Sequence, residues 1–137
     1  MKNKNPSSTS IGNIFELFII KELKKEGYAI LEHSWEAFPE ELDIIIKKGK
    51  IIVFVEVKAR GPSTIEEPEK SVGKEKMYKI YRGAKKYLRS LESVDIDTSC
   101  FNYRFDVVGI RYDENYNIIN YKHSENFYIA DDLFTNI

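Results

Sequence analysis

The chain has one cysteine, two histidines and almost no net charge, and each of these scarcities excludes a class of protein. Because Cys100 stands alone, the chain has no internal disulfide and no zinc site built from clustered cysteines, which fits a reducing compartment. The formal net charge is −1, so any nucleic acid must be bound by a local basic patch rather than by an overall basic field.

Long apolar runs are also missing. Charged residues interrupt the most apolar segments well short of the roughly 20 residues that a membrane-spanning helix needs. Residues 1–9 are polar, without periodicity and without the apolar core of a signal peptide. We therefore expect a cytoplasmic protein in which residues 1–9 form a disordered tail.

The length and composition predict one folded domain, spanning residues 10–137. Domains commonly contain about 100 to 150 residues, and this chain has 137. Its composition is 42% hydrophobic and 31% charged, and its nine tyrosines and eight phenylalanines are far more aromatic residues than disordered chains usually carry.

Hydrophobic periodicity predicts the element order α-β-β-β-α-β-β. The expected helices cover residues 10–26 and 74–91, and the expected strands cover residues 28–35, 41–46, 51–60, 101–111 and 118–123. The intervening residues 61–73 contain two prolines and two glycines and predict a long loop. This order is typical of an α/β fold with a mixed sheet flanked by helices.

Charged residues enter the strand with the strongest prediction, at residues 51–60 (IIVFVEVKAR). Because strand side chains alternate, Glu56 and Lys58 share a face with the apolar Ile52 and Phe54. Buried strands rarely carry charges that lack a function or a partner. Taken alone, a glutamate and a lysine two residues apart are more often a solvated pair worth less than about 1 kcal/mol.

The preceding strand brings further carboxylates to this face. If residues 47–50 form a four-residue turn, Glu41 lies opposite Glu56, and Asp43 lies diagonally from Glu56 at about 7 to 8 Å between backbones. Magnesium is usually held by one or two carboxylates, so we expect Asp43 and Glu56 to bind Mg²⁺ or Mn²⁺. Lys58 would lie beside the metal and orient water or stabilise charge on a phosphate oxygen.

Glu16 is a further candidate in the first helix. It lies beside the apolar stripe, where it either forms a fourth corner of the site or belongs to the polar edge of the helix, and periodicity leaves both open.

The second helix offers the best phosphate-binding candidates. Opposite or beside its apolar stripe lie the basic residues Lys76, Lys79, Arg82 and Lys86. Such a face can follow a nucleic-acid backbone, although basic residues opposite an apolar stripe are equally often a solvated surface. His33 and His123 form no local metal motif and receive no role, while Arg104 and Asp106 are expected to form a structural pair.

In this order, the residues resemble the YraN-type family of small bacterial endonuclease-like proteins. That family is related in fold to archaeal Holliday-junction resolvases within the PD-(D/E)xK nuclease superfamily. The resemblance covers about residues 12–108 and rests mainly on residues 41–43 (ELD) and 54–60 (FVEVKAR). Weaker matches are Gly12 with Glu16, Val72 with Lys76, and residues 84–88 and 104–107.

The resemblance implies a restriction-endonuclease-like fold and assigns roles to individual residues. Asp43 and Glu56 would bind the metal, Lys58 would be the catalytic lysine, and Glu16 would assist from the helix. Lys76 would lie near the substrate groove.

This sequence departs from the family pattern at Phe15 and Glu40, which stand where the family usually has glycine and are expected to put bulk near the site. Two functions stay open: a metal-dependent endonuclease acting on branched or damaged DNA, and a catalytically inactive nucleic-acid-binding or scaffolding module of the same fold. The relationship to resolvases also suggests a two-fold homodimer.

Overall fold

The computed structural model of the chain describes residues 8–126, apart from the side chains of residues 8–10, 69 and 71. The described helices and strands are α1 (Ser8–Lys25), β1 (Ala29–Ala37), β2 (Glu40–Lys48), β3 (Ile51–Arg60), α2 (Lys74–Glu92), β4 (Asn102–Tyr112) and β5 (Ile118–Ser124). The predicted order α-β-β-β-α-β-β is therefore confirmed. Neither helix is long and apolar enough to cross a membrane.

The first helix begins at Ser8, two residues before the predicted start at Ser10. Its end is close to the prediction, because Gly27 follows it with a φ of +94° and the amide of Tyr28 bonds back to the carbonyl of Leu23. Residues 1–7 of the predicted tail and residues 127–137 of the predicted domain lie outside the described residues.

The strands form one mixed sheet in the order β1-β2-β3-β4-β5. The pair β3 and β4 is parallel, and the other neighbouring pairs are antiparallel. A parallel pair needs a crossover connection, and α2 lies in the segment that joins β3 to β4. The predicted mixed sheet flanked by helices is confirmed.

The two helices cover opposite faces of this sheet. Under α2 lies a core that contains Ile45, Phe54 and Phe105, together with the helix residue Tyr81. Under α1 lies a second core built from alternate strand positions and the helix residues Phe15, Ile19, Ile20 and Leu23. Residues 44–46 of β2 and 52–55 of β3 are buried on both faces of the sheet, which is why these central segments contain only apolar residues.

The register between β2 and β3 differs from the prediction. The turn contains two residues, Gly49 and Lys50, because Gly49 adopts a φ of +59° that permits a tight hairpin turn. Ile51 therefore pairs with Lys48, and the predicted four-residue turn is wrong by two residues. Since two residues restore the same side of a strand, the error changes which residues are opposite but not which face they share.

At one end of the sheet, β2 and β3 separate. Their pairing ends at Ile44 and Val55, whereas β2 stays paired to β1 as far as Glu40. A further step along the register places Asp43 level with Glu56, and Glu41 pairs instead with Glu36 of β1. The predicted pairing of Glu41 with Glu56 is therefore wrong, and the acidic residues lie where the two strands diverge.

Two helical glycines provide a test of how closely α2 packs on the sheet. A Cβ added at Gly83 would lie 3.0 Å from Cδ2 of the buried Leu42, whereas one added at Gly12 would meet nothing within 4 Å. Alanine is favoured over glycine in helices by about 0.5 to 1 kcal/mol, and overpacking costs about 1 to 3 kcal/mol. We expect Gly12→Ala to raise the free energy of unfolding and Gly83→Ala to lower it, as measured by urea denaturation. Equal effects would contradict the close packing at Gly83.

Candidate metal centre

Asp43 and Glu56 face each other where β2 and β3 separate. The backbone N–H of Val57 donates to Oδ2 of Asp43 at 2.8 Å, so this side chain takes the place of a strand carbonyl as acceptor. The two carboxyl groups are close enough for the charge of Asp43 to raise the pKa of Glu56. Glu56 is only 4% exposed. The predicted pair is thus brought together, and more closely than the predicted register implied.

Two lysines reach Glu56 from different elements. Nζ of Lys58, on β3 itself, lies 3.8 Å from Oε1 of Glu56, and Nζ of Lys76, in the first turn of α2, lies 3.5 Å from the same oxygen. Both lysines stay partly exposed. The site therefore has one buried and one partly buried carboxyl group on one side, and on the other side two cations that water can reach.

Burial governs the acidity of this pair. It raises the pKa of Glu56 to about 8, and the neighbouring charge of Asp43 adds to this, while Lys76 and Lys58 oppose it. Burial raises the pKa of Asp43 as well. Two neighbouring carboxyl groups repel each other when both are ionised. A divalent cation bound by both would remove that repulsion.

The donor set fits magnesium better than zinc. Among the described residues, there is no group of three or more histidine, cysteine, aspartate or glutamate side chains placed to hold a metal. Zinc sites need three or four such protein ligands, whereas magnesium keeps several waters and binds through one or two carboxylates together with substrate phosphate. Asp43 and Glu56 meet that smaller requirement.

Glu16 approaches the site from α1. Its Oε1 accepts a hydrogen bond from Nε2 of His33 at 2.9 Å and lies 3.5 Å from Oγ of Ser34. Burial, followed by the charge of Asp43, raises the pKa of Glu16. Periodicity left open whether Glu16 belongs to the site or to the polar edge of α1. The structure places Glu16 at the site, close enough to Asp43 to feel its charge.

His33 and Ser34 are site residues that the sequence interpretation missed. Both lie on β1, and Ser34 has a φ of +54°, a conformation that is uncommon for residues other than glycine. Their position beside Glu16 results from the packing of α1 on the sheet. No local pattern in the sequence predicts it.

A cleft of about 410 Å³ opens beside Glu16, Ser34 and Asp43. Four carboxylates line it, from Glu16, Glu36, Glu41 and Asp43. Phe15 and Glu40 are absent from its lining. The ring of Phe15 is buried in the core 5.0 Å from the ring of Tyr112, so the expected bulk in the site is not found.

Glu40 instead binds two residues of the basic helix. Arg82 donates through Nε at 3.0 Å, and Lys86 donates through Nζ both to Glu40 and to the carbonyls of Ala37 and Phe38. These hydrogen bonds, first from Lys86 and then from Arg82, lower the pKa of Glu40. With Lys76 paired to Glu56, three of the four predicted nucleic-acid-binding residues are therefore engaged within the protein.

A second charged cluster surrounds Asp106, which is completely buried in β4. Its carboxylate accepts two hydrogen bonds from Arg104 at 2.9 Å, one from His123 at 2.7 Å and one from the backbone of Asn126 at 3.0 Å. The predicted Arg104–Asp106 pair is confirmed. His123 is the member that the sequence did not reveal, because β5 places it there.

Together these features define an α/β protein with a mixed sheet between two helices and a carboxylate–lysine cluster where two strands separate. The family model of the uncharacterised protein family UPF0102 matches residues 15–110. The chain belongs to this family, which confirms the family part of the resemblance.

Bacterial relatives agree with this assignment. A UPF0102 protein of Clostridium acetobutylicum is 42% identical over 88 residues, which cover 64% of this chain and 68% of the relative. Relatives from Clostridium tetani (37% over 117 residues, covering 83% and 92%) and Clostridium perfringens (38% over 120 residues, covering 86% and 89%) match more of their length. The nuclease activity implied by the resemblance stays a prediction.

Proposed function

We propose that this protein is a metal-dependent endonuclease that hydrolyses phosphodiester bonds of branched or damaged DNA in the cytoplasm. The observation that supports this proposal is the meeting of Asp43, Glu56 and Lys58 where β2 and β3 diverge, with Glu16 reaching the same place from α1. Such a cluster costs folding free energy, because it buries carboxyl groups side by side. A catalytic role would account for that cost.

Each residue has a chemical task under this proposal. A bound Mg²⁺ would polarise the phosphate and lower the pKa of a bound water. Asp43 and Glu56 would hold the metal, and the bond from the Val57 amide keeps Asp43 oriented toward Glu56. Lys58 would stabilise negative charge that develops on a phosphate oxygen. Glu16, itself oriented by His33, would accept a hydrogen bond from the attacking water.

Calorimetric titration of Mg²⁺ and Mn²⁺ into the full chain tests this function. We expect wild type to bind metal, Asp43→Asn and Glu56→Gln to lose that binding, and a short branched DNA to tighten it, because phosphate oxygens complete the magnesium shell. The matched control is Glu36→Gln, which removes a carboxylate from the cleft wall without touching the proposed ligands. If wild type binds no metal with or without DNA, the nuclease proposal fails.

The basic helix contributes less to DNA binding than its sequence suggests. Lys79 is exposed and has no ion-pair partner within the described part of the chain, whereas Arg82 is held by Glu40. We expect Lys79→Gln to reduce the slope of log Kobs against log salt concentration by about 1. Arg82→Gln serves as the comparison and should change the slope less. Equal slopes for the two variants would contradict this division of the helix.

A catalytically inactive nucleic-acid-binding or scaffolding module is the second candidate. It is favoured by the fact that Glu56 already contacts two lysines and Asp43 accepts the Val57 amide, so the acids have partners without a metal. Under this alternative, Asp43→Asn and Glu56→Gln should leave DNA affinity unchanged in the presence and absence of Mg²⁺. These DNA affinities, together with the titrations of Mg²⁺ and Mn²⁺, therefore separate the two functions.

A further inference from the structure

A second cavity, of about 480 Å³, lies at the carboxyl ends of the parallel strands β3 and β4. Its walls are residues 59–64 at the end of β3 and Tyr112, Asp113, Glu114 and Tyr116 at the end of β4. Ligands of open α/β sheets bind outside the carboxyl ends of parallel strands. We call this space the strand-end cavity.

Aromatic rings form one wall of the strand-end cavity. The rings of Tyr112 and Tyr116 stack with their centroids 5.7 Å apart and their planes at 27°, and the buried Phe15 lies 5.0 Å behind Tyr112. Tyr116 is 37% exposed at the outer end of this column. An exposed ring supported from behind is a surface on which another flat ring can stack.

The wall is held in place by its turns. Tyr116 has a φ of +63° in a turn where the carboxylate of Asp113 accepts the backbone N–H groups of Asn115 and Asn117, each at 2.9 Å. On the opposite wall, Arg111 donates to the carbonyls of Gly61, Thr64 and Glu66. Both walls are therefore organised before any ligand arrives, which reduces the entropic cost of binding.

Arg60 supplies a cation at the same cavity. Its Nη1 donates to the carbonyl of Ala59 at 2.9 Å, and none of the described carboxylates lies within ion-pair distance of the guanidinium. A guanidinium carries five N–H donors in a planar fork, so most of its donors are available to an anion. Arginine binds phosphate well because this fork matches two phosphate oxygens.

The strand-end cavity adjoins the candidate metal centre. Arg60 follows Lys58 by two residues on β3, so both side chains project from one face of the strand, about 7 Å apart along its axis. Arg60 also lines the strand-end cavity, so this residue connects the two sites along β3. The rings of Phe15 and Tyr112 belong to the core under α1, and Tyr112 reaches the cavity from that face of the sheet.

We infer that the strand-end cavity binds an unpaired nucleotide of the DNA strand next to the cleaved phosphate, with the base stacked on Tyr116 and the phosphate paired with Arg60. This inference rests on the proposed endonuclease function. It names the feature of branched or damaged DNA that the protein recognises, because an unpaired base leaves its own stack at a lower cost than a paired base and can then lie on the tyrosine. Glu114, also in the wall, would accept a hydrogen bond from an exocyclic amino group.

The test measures equilibrium binding of three fluorescent duplexes to the full chain in buffer without divalent metal. One duplex carries a single unpaired nucleotide, the second carries an abasic residue at that position, and the third is fully paired. The variants are Tyr116→Ala, Tyr116→Phe and, as a control of equal exposure on β5, Tyr121→Ala. Tyr116→Asn is added because asparagine tolerates a positive φ, which separates loss of the ring from a disturbed turn.

Wild type is expected to bind the unpaired nucleotide roughly tenfold more tightly than the abasic duplex, the range found for stacking of a base on an aromatic side chain. Tyr116→Ala and Tyr116→Asn should abolish this preference, and Tyr116→Phe and Tyr121→Ala should keep it. Equal affinity of wild type for the unpaired and abasic duplexes, or a preference that survives in Tyr116→Ala, overturns the inference.

Failure of this inference and failure of the proposed function give different results. If wild type cleaves DNA with Mg²⁺ but shows no preference for the unpaired base, the endonuclease function stands and the inference falls. If Asp43→Asn retains the preference while wild type shows no cleavage, the cavity binds nucleotides and the endonuclease function falls. If wild type binds none of the duplexes, the inference falls, and the titration of Mg²⁺ with and without DNA decides the endonuclease function.

Discussion

Lys58→Met is expected to lower kcat for DNA cleavage by roughly 100- to 1,000-fold, the usual loss when one preorganised group that stabilises transition-state charge is removed. Metal binding should survive, because Nζ of Lys58 lies 3.8 Å from Glu56 as a neighbour of the carboxyl pair rather than as a ligand. Asp43→Asn should instead lose both metal binding and cleavage. The contrast between the two variants separates the role of the cation from that of the carboxylates.

The measurement combines single-turnover cleavage with calorimetric titration of Mg²⁺. Lys50→Met is a matched control, since Lys50 is exposed in the turn at the other end of β3. A Lys58→Met protein that cleaves within about threefold of wild type would show that Lys58 is a structural partner of Glu56. Loss of metal binding in Lys58→Met would show that the lysine holds the carboxyl pair in place.

Asp106→Asn is expected to lower the free energy of unfolding by about 3 to 5 kcal/mol, because removing one member of a buried ion pair leaves the other without its counter-charge. The remaining charge belongs to Arg104, whose side chain is 18% exposed and also donates to the hydroxyl of Tyr28. The same substitution weakens the acceptor for His123 and for the Asn126 amide.

Urea denaturation of Asp106→Asn and Glu125→Gln measures this effect. Glu125 lies 3.7 Å from the same arginine but is 60% exposed, so its loss should cost less than about 1 kcal/mol. Similar losses for the two variants would contradict the importance of burial in this cluster.

The pH dependence of this cluster follows from His123. The hydrogen bond to Asp106 raises the pKa of His123 above its usual value, and the charges of Asp106, Glu125 and Glu26 act in the same direction. Its contribution to stability is therefore complete below about pH 6.5, the pKa of an unfolded histidine, and is lost as the pH rises through the higher folded value. The stability difference between wild type and His123→Gln should shrink over that range in denaturation curves measured at successive pH values.

Local sequence predicted the elements well, and for physical reasons. Helical spacing of apolar residues and the left-handed Gly27 define α1, and the nearly continuous apolar run of residues 51–55 reflects a strand buried on both faces. The pairing of Arg104 with Asp106 was also visible, since alternate residues of one strand share a face. The candidate residues Asp43, Glu56 and Lys58 came from the same alternation.

Details that depend on exact geometry were not accessible in this way. A tight turn at Gly49 shifted the strand register by two residues and moved Glu41 away from Glu56. The basic helix looked like a uniform cationic face, yet Glu40 reaches it from β2 across 42 and 46 positions of sequence to bind Arg82 and Lys86.

The sequence by itself determined the order of helices and strands, the mixed α/β class and the face on which the acidic residues lie, because these follow from periodicities of 2 and 3.6 residues. Only the tertiary structure decided that His33 meets Glu16, that His123 meets Asp106 and that Tyr116 stacks on Tyr112 beside Arg60. Those contacts join separate elements, and their positions are set by how the helices and turns pack on the sheet, which no local pattern records.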